Sequence, residues 1–231
     1  MTRNLSKLIS AAAIATSLSV VPIAASAATF DFANIPATSA GEQSGDDLAP
    51  SLKFDVNESG SGTKFDFKFL TNSSPSTAAF ISRVFIDGST TLLGANNTIT
   101  VNSGNSGTVV FSGGLGNDNL AQGNKLNPAF TSDYVFSWQN GNGNVRGIQE
   151  GESLGVLFAS ANFADVIAAI NDGSLRVGYR IQSIGANAQG SDSFVSIPNP
   201  PRPVPVPGFV LGILAAGALG GKRLLSKKQS V

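Results

Sequence analysis

The chain has 231 residues, with 15 basic and 15 acidic side chains, no cysteine and no histidine. That composition excludes a disulfide framework, a Cys/His metal centre and every nucleophile–histidine catalytic arrangement. Any acid–base chemistry would fall to carboxylates, because the commonest general base is missing.

The charges are segregated. Two basic residues lie in the first 27 positions and four lie after Gly221. The other nine basic residues and all 15 acidic ones fall between, an excess of six negative charges. A negative body argues against nucleic acid as a partner and against an anionic membrane surface.

Arg3 and Lys7 form a positive n-region, and residues 8–24 are apolar and rich in alanine. Ala25-Ser26-Ala27 is a small-x-small cleavage site before Ala28. This is the pattern of a secretory signal peptide over residues 1–27, removed on export and no part of the fold. A cysteine-free exported chain must be stabilised by its core, and about 175 residues is enough for one.

Thr29, Phe30, Asp31 and Phe32 open the body with an alternating strand. Leu52, Phe54 and Val56 then alternate with Lys53, Asp55 and Asn57, and Phe65, Phe67 and Phe69 with Lys64, Asp66 and Lys68. Period-2 alternation around the glycine-rich stretch 58–62 predicts an antiparallel hairpin with one buried face. Further strands are predicted at 78–86, 97–101, 108–111, 134–138, 151–159, 175–184 and 191–197, with 113–127 a Gly/Asn-rich loop. Phe163, Val166, Ile167 and Ile170 form a helical stripe, with Asn162 as its N-cap and Gly173 as its C-cap. This predicts the one helix of the domain.

Pro198, Pro200, Pro201, Pro203, Pro205 and Pro207 predict an extended stalk, because proline lacks the N–H that helices and central strands need. The uncharged run 208–221 spans roughly 21 Å as a helix, short of a bilayer core of about 30 Å. Val206, Pro207, Leu224 and Leu225 extend it to a marginal span. The basic cluster Lys222, Arg223, Lys227 and Lys228 would stay on the cytoplasmic side.

Val204, Pro205, Val206 and Pro207, the apolar run and Lys222-Arg223 together resemble the PEP-CTERM sorting signal of bacteria. The resemblance implies recognition by an exosortase, a membrane-embedded cysteine protease, and release to the cell surface or extracellular matrix. Val206 stands where the family usually has glutamate, a departure that bears on processing and not on insertion. The segments 175–185 and 190–194 are also similar to the final strand pair of many exported proteins with this signal.

Carboxylate pairs are the remaining catalytic candidates: Asp46/Asp47, Glu150/Glu152 and Asp118/Asp133. Paired carboxylates serve glycosidases, but all six sit in predicted loops or turns or, for Glu152, at the start of a predicted strand, where Asp and Glu are common anyway. Gly116-Asn-Asp-Asn119 and Asp46-Asp47 could supply oxygen ligands for a structural calcium ion, although neither matches an EF-hand loop; no other cofactor is expected. Trp138, followed by Gln139 and Asn140, is the best candidate glycan contact. Its phase with Tyr134 and Phe136 offers a core role instead.

The sequence thus predicts an all-β chain. It comprises a signal peptide (1–27), a jelly-roll-like antiparallel β-sandwich with one short helix (28–197), a proline stalk (198–207), and a transmembrane sorting signal with a basic tail (208–231). The expected function is non-enzymatic, at the cell surface or in an exopolysaccharide matrix. The alternatives are a carboxylate-dependent glycan hydrolase or lyase, and a permanently anchored envelope protein.

Overall fold

Phenylalanine at every second position organises the sheet. In β2 (Leu52–Ser59) and β3 (Gly62–Phe69) the apolar set Leu52, Phe54, Val56, Phe65, Phe67 and Phe69 is wholly buried, while Lys53, Asp55, Lys64 and Asp66 face outward. A two-residue turn joins the strands, with Gly60 at φ +61°, the positive φ that such hairpins require. Phe30 of β1 (Ala27–Asn34) stacks on Phe54 at 5.0 Å, and Phe65 meets the edge of Phe158 at 5.4 Å. Each such ring contributes about 1.5–3 kcal/mol by its removal from water. The computed structural model describes residues 27–36, 45–71, 78–139, 147–185 and 187–198.

Seven more strands complete the sheet: β4 (Phe80–Asp87), β5 (Ile99–Val101), β6 (Phe111–Leu115), β7 (Tyr134–Trp138), β8 (Glu152–Phe158), β9 (Arg176–Ile184) and β10 (Gly190–Ser196). The order is β5-β8-β3-β2-β1-β10-β9-β4-β7-β6, and every pairing is antiparallel. β1 works on both sides, pairing with β2 through residues 27–31 and with β10 through 32–34. The sheet therefore curls until its ends nearly meet. Side-chain amides bridge the gap. Asn102 Nδ2 donates to Phe111 O at 2.8 Å, Phe111 N donates to Asn102 Oδ1 at 3.0 Å, and Leu115 N donates to Asn96 Oδ1 at 2.6 Å.

The predicted helix is α2 (Phe163–Asp172), with Val166 and Ile170 buried. Asn162 Oδ1 accepts from Ala164 N and Asp165 N, and Gly173 ends the helix in the left-handed conformation. The structure adds a second helix, α1 (Thr90–Leu93), against the expectation of one. Four residues are too few to show a helical period in sequence. Ser89 Oγ caps α1 by accepting from Thr91 N, and Tyr134 Oη ties it to the sheet by donating to Gly94 O at 2.6 Å. Burial, aided by the neighbouring Asp133 charge, pushes the Tyr134 phenol up to about 12.

Two strand expectations shift. The strand expected at 108–111 meets β6 only at Phe111: residues 108–110 are not strand, and β6 runs on through Gly113 and Gly114 to Leu115, into the stretch expected to be a Gly/Asn-rich loop. Gly113 sits at φ +149°, and a Cβ there would lie 2.0 Å from Val135 O, so this strand needs glycines that its sequence makes look like loop. The strand at 97–101 keeps only its last three residues, because 96–98 form a 3-10 turn.

Both ends of the described domain emerge on the side that α2 closes. Ala27 and Ala28, the predicted cleavage residues, begin β1 opposite Asn57 and Val56, beside the β2–β3 turn. Pro198 Cγ comes within 3.9 Å of a Cβ built on Gly173, at the end of α2. The rest of the leader, including Ala25, and the stalk beyond Pro198, the sorting motif and the basic tail (Val204, Pro205, Val206, Pro207, Lys222 and Arg223 among them) lie outside the described residues. Among the described residues, no helix is long and apolar enough to cross a membrane.

Candidate functional site

Trp138 ends β7 on the side of the sheet away from α2. It is half-buried, in phase with the fully buried Tyr134 and Phe136, and meets Phe80 edge-on at 5.1 Å. The segment 147–151 crosses the same end of the sheet. Ile148 bridges to Ile81, and Gly151 N donates to Phe69 O at 2.7 Å. Gly147 is needed for this crossing, since a Cβ there would lie 2.2 Å from the Phe80 ring. Gln139 is exposed and its Nε2 donates to Ser112 Oγ. Asn140 lies outside the described residues.

Three of the carboxylates named from sequence, Glu152, Asp118 and Asp133, hold loops in place. Glu152 Oε1 accepts from Thr108 N at 2.9 Å and its Oε2 from Gln149 N at 3.0 Å, so both oxygens bind backbone. Asp118 pairs with Arg83, whereas Asp133 Oδ2 accepts from Gly88 N at 3.0 Å, so the two carboxyls have separate partners. Asp46 and Asp47 are exposed in the first turn of a 3-10 segment, Asp46–Ser51. Glu150, half-buried, lies in the turn before β8. Among the described residues, no three Asp, Glu, His or Cys side chains gather as a metal site would require.

Three features go beyond the strand pattern itself. The first is a charged ladder on the outer face of β1–β2–β3, where the mixed signs of Lys53, Asp55, Lys64, Asp66 and Lys68 already make cross-strand ion pairs plausible from the sequence. The hairpin register sets Asp55 directly opposite Asp66 and Lys53 opposite Lys68. The like charges are relieved in three ways: Lys68 pairs diagonally with Asp55, Lys64 along its own strand with Asp66 at 2.8 Å, and Lys53 directly across β1–β2 with Asp31. Thr29 Oγ1 and Asn57 Nδ2 donate to the remaining carboxylate oxygens at 2.7 and 2.9 Å. A two-residue turn at 60–61 fixes this register, so the ladder could have been read from the sequence.

The second is Asp192, a carboxyl with 0 % exposure. Its Oδ2 accepts from Asn34 Nδ2 and its Oδ1 from Ser193 N, both at 2.7 Å. Burial raises its pKa despite these bonds. The Asp46 charge adds to the rise, and the Arg180 charge opposes it.

The third is the long connection between β6 and β7. Leu120 and Phe130 turn back onto the outer face of β9, where Gly178 leaves room for them; a Cβ there would lie 2.7 Å from Leu120 Cδ2. With Ile35 and Phe85 they form a second apolar cluster, separate from the main core. Beside them the loop forms a hollow of about 370 Å³, open on one side to solvent.

These features define a curled antiparallel β-protein plugged by a helix at the end from which its chain ends leave, with loops and a half-buried tryptophan at the other. No family model, curated protein or solved structure matches the chain.

Proposed function

We propose that this chain is a non-enzymatic exported protein, sorted by its PEP-CTERM-like tail and displayed at the cell surface or in an exopolysaccharide matrix. The observation that carries the reading is topological. Both chain ends leave on the α2 side, while Trp138, Gln139 and the 147–151 segment sit at the opposite end. A body tethered through the proline stalk would present that opposite end away from the membrane. An exosortase-like protease acting at 204–207 would free it without touching the sheet. Trp138, Gln139 and Asn140 are the candidate glycan contacts.

The finer fold reading is a β-sandwich whose two faces share β1. The sequential neighbours β1–β2, β2–β3, β6–β7 and β9–β10 favour meander connectivity over jelly-roll wrapping.

The alternative, a carboxylate-dependent glycan hydrolase or lyase, would rest on Glu150 and Glu152. The engagement of both Glu152 oxygens by backbone N–H groups favours the structural role. Incubation of the full chain with its own cells' exopolysaccharide separates the readings. Co-sedimentation with no new reducing ends supports display in the matrix. Release of reducing ends that is lost in Glu150→Gln or Glu152→Gln establishes the enzyme, and failure to co-sediment contradicts matrix association.

A further inference from the structure

We infer that the hollow within the 119–130 loop is a binding site for a neutral, hydroxyl-rich ligand, a saccharide unit. The site lies at the α2 end, separate from Trp138, and depends on the surface-protein reading only for the source of the ligand.

The loop is long and is held in one shape. Connections beyond about 12–15 residues are generally functional or unstructured. This one is built: Gly123 N donates to Leu120 O, and Phe130 N donates to Gly123 O, both at 2.9 Å. Leu120 and Phe130 are 3 % and 5 % exposed, so the loop has its own anchor in the apolar cluster. From β9, Arg176 donates to Pro128 O at 2.7 Å and Ala129 O at 2.8 Å, with its guanidinium 5.3 Å from the Phe130 ring centre. A hollow held from both sides loses little freedom when a ligand enters.

The lining sets the ligand class. Asn119, Gln122 and Asn124 contribute amides, and Leu120, Ala129 and Phe130 an apolar wall. An amide offers a donor and an acceptor side by side, which matches adjacent hydroxyls. Leu120 and Phe130 back the hollow from within the apolar cluster, and Ala129 is the apolar residue exposed at it. The two nearest carboxylates are paired, Asp118 with Arg83 and Asp87 with Arg176, so neither is left to draw a cation into the hollow. Its volume of about 370 Å³ falls at the small end of ligand sites, room for one or two sugar units.

The test is saturation-transfer NMR on the full chain in a non-glycosidic detergent, with glucose, galactose, mannose, maltose and cellobiose as probes. At least one sugar should receive saturation. The double variant Asn119→Ala/Asn124→Ala should weaken its binding about tenfold, as expected for two lost hydrogen bonds. Ala129→Trp, which fills the mouth, should abolish it, and Leu70→Ser, exposed at the far end of the sheet, should leave it unchanged. Silence from all five sugars, or equal binding by wild type and both hollow variants, overturns the proposal. Exopolysaccharide that co-sediments equally with wild type and hollow variants would keep the matrix reading and sink this site. Sugar binding through the hollow without co-sedimentation would do the reverse.

Discussion

Arg176 of β9 and Asp87 of β4 form an ion pair between neighbouring strands, and the same guanidinium holds two carbonyls of the 119–130 loop. Asp87 Oδ2 also accepts from Thr131 N at 3.2 Å, so the pair pins the loop from both partners. Their side chains are only 14 % and 18 % exposed, which places the pair well above an ordinary surface salt bridge.

Arg176→Ala should therefore lower unfolding stability by about 2–4 kcal/mol, because it leaves Asp87 and two carbonyls without their charged donor. Arg176→Lys keeps the charge but not the fork, so its cost should be intermediate. Urea unfolding checks the size. Hydrogen exchange checks the place, with protection lost first at Gly123 N and Phe130 N. Equal stability of wild type and Arg176→Ala would contradict the role.

The seam between β5 and β6 rests on Asn102, whose amide imitates a backbone ladder by both donating to and accepting from Phe111. Asn102→Asp keeps the acceptor and loses the donor, leaving a carboxylate beside the Phe111 carbonyl. We expect a loss of about 1–3 kcal/mol and faster hydrogen exchange at Phe111 and Leu115 than in the β2–β3 hairpin. Uniform exchange across the sheet would show that the seam closes by other means.

Asp192 gives a pH dependence of defined sign. Its folded pKa lies above the ordinary 3.8, chiefly through burial. Folding therefore takes up a proton there. The stabilisation is complete below the unfolded value and declines as pH rises through the raised folded value. Asp192→Asn removes this titration, so the wild-type-minus-variant difference in unfolding free energy should fall with rising pH across the acid range and then level. Parallel curves would contradict the assignment.

The hairpin and α2 were legible because their signals are local. Phe54 and Phe67 sit at period 2 around a glycine turn, and Val166 and Ile170 at helical spacing between Asn162 and Gly173. The curl of the sheet was not legible. It depends on β1 changing partners between Asp31 and Phe32, and nothing in the alternation of β1 marks that point. The 119–130 hollow was hidden for a related reason. Leu120 and Phe130 show no periodicity, and the position that receives them, Gly178, lies far along the chain. β6 was misjudged because the close approach at Gly113 makes a strand read as a loop. Trp138 packs on Phe80 against the main core, as its phase with Tyr134 and Phe136 predicts.

The most direct test of the central claim is the intact mass of the protein from its own cells, after separation of membrane, periplasm and medium. The account predicts a species beginning at Ala28, ending between Pro205 and Gly208, and found on the surface or in the medium. A species running to Val231 and confined to membranes would contradict sorting and release, and one retaining Met1 in the cytoplasm would contradict export altogether.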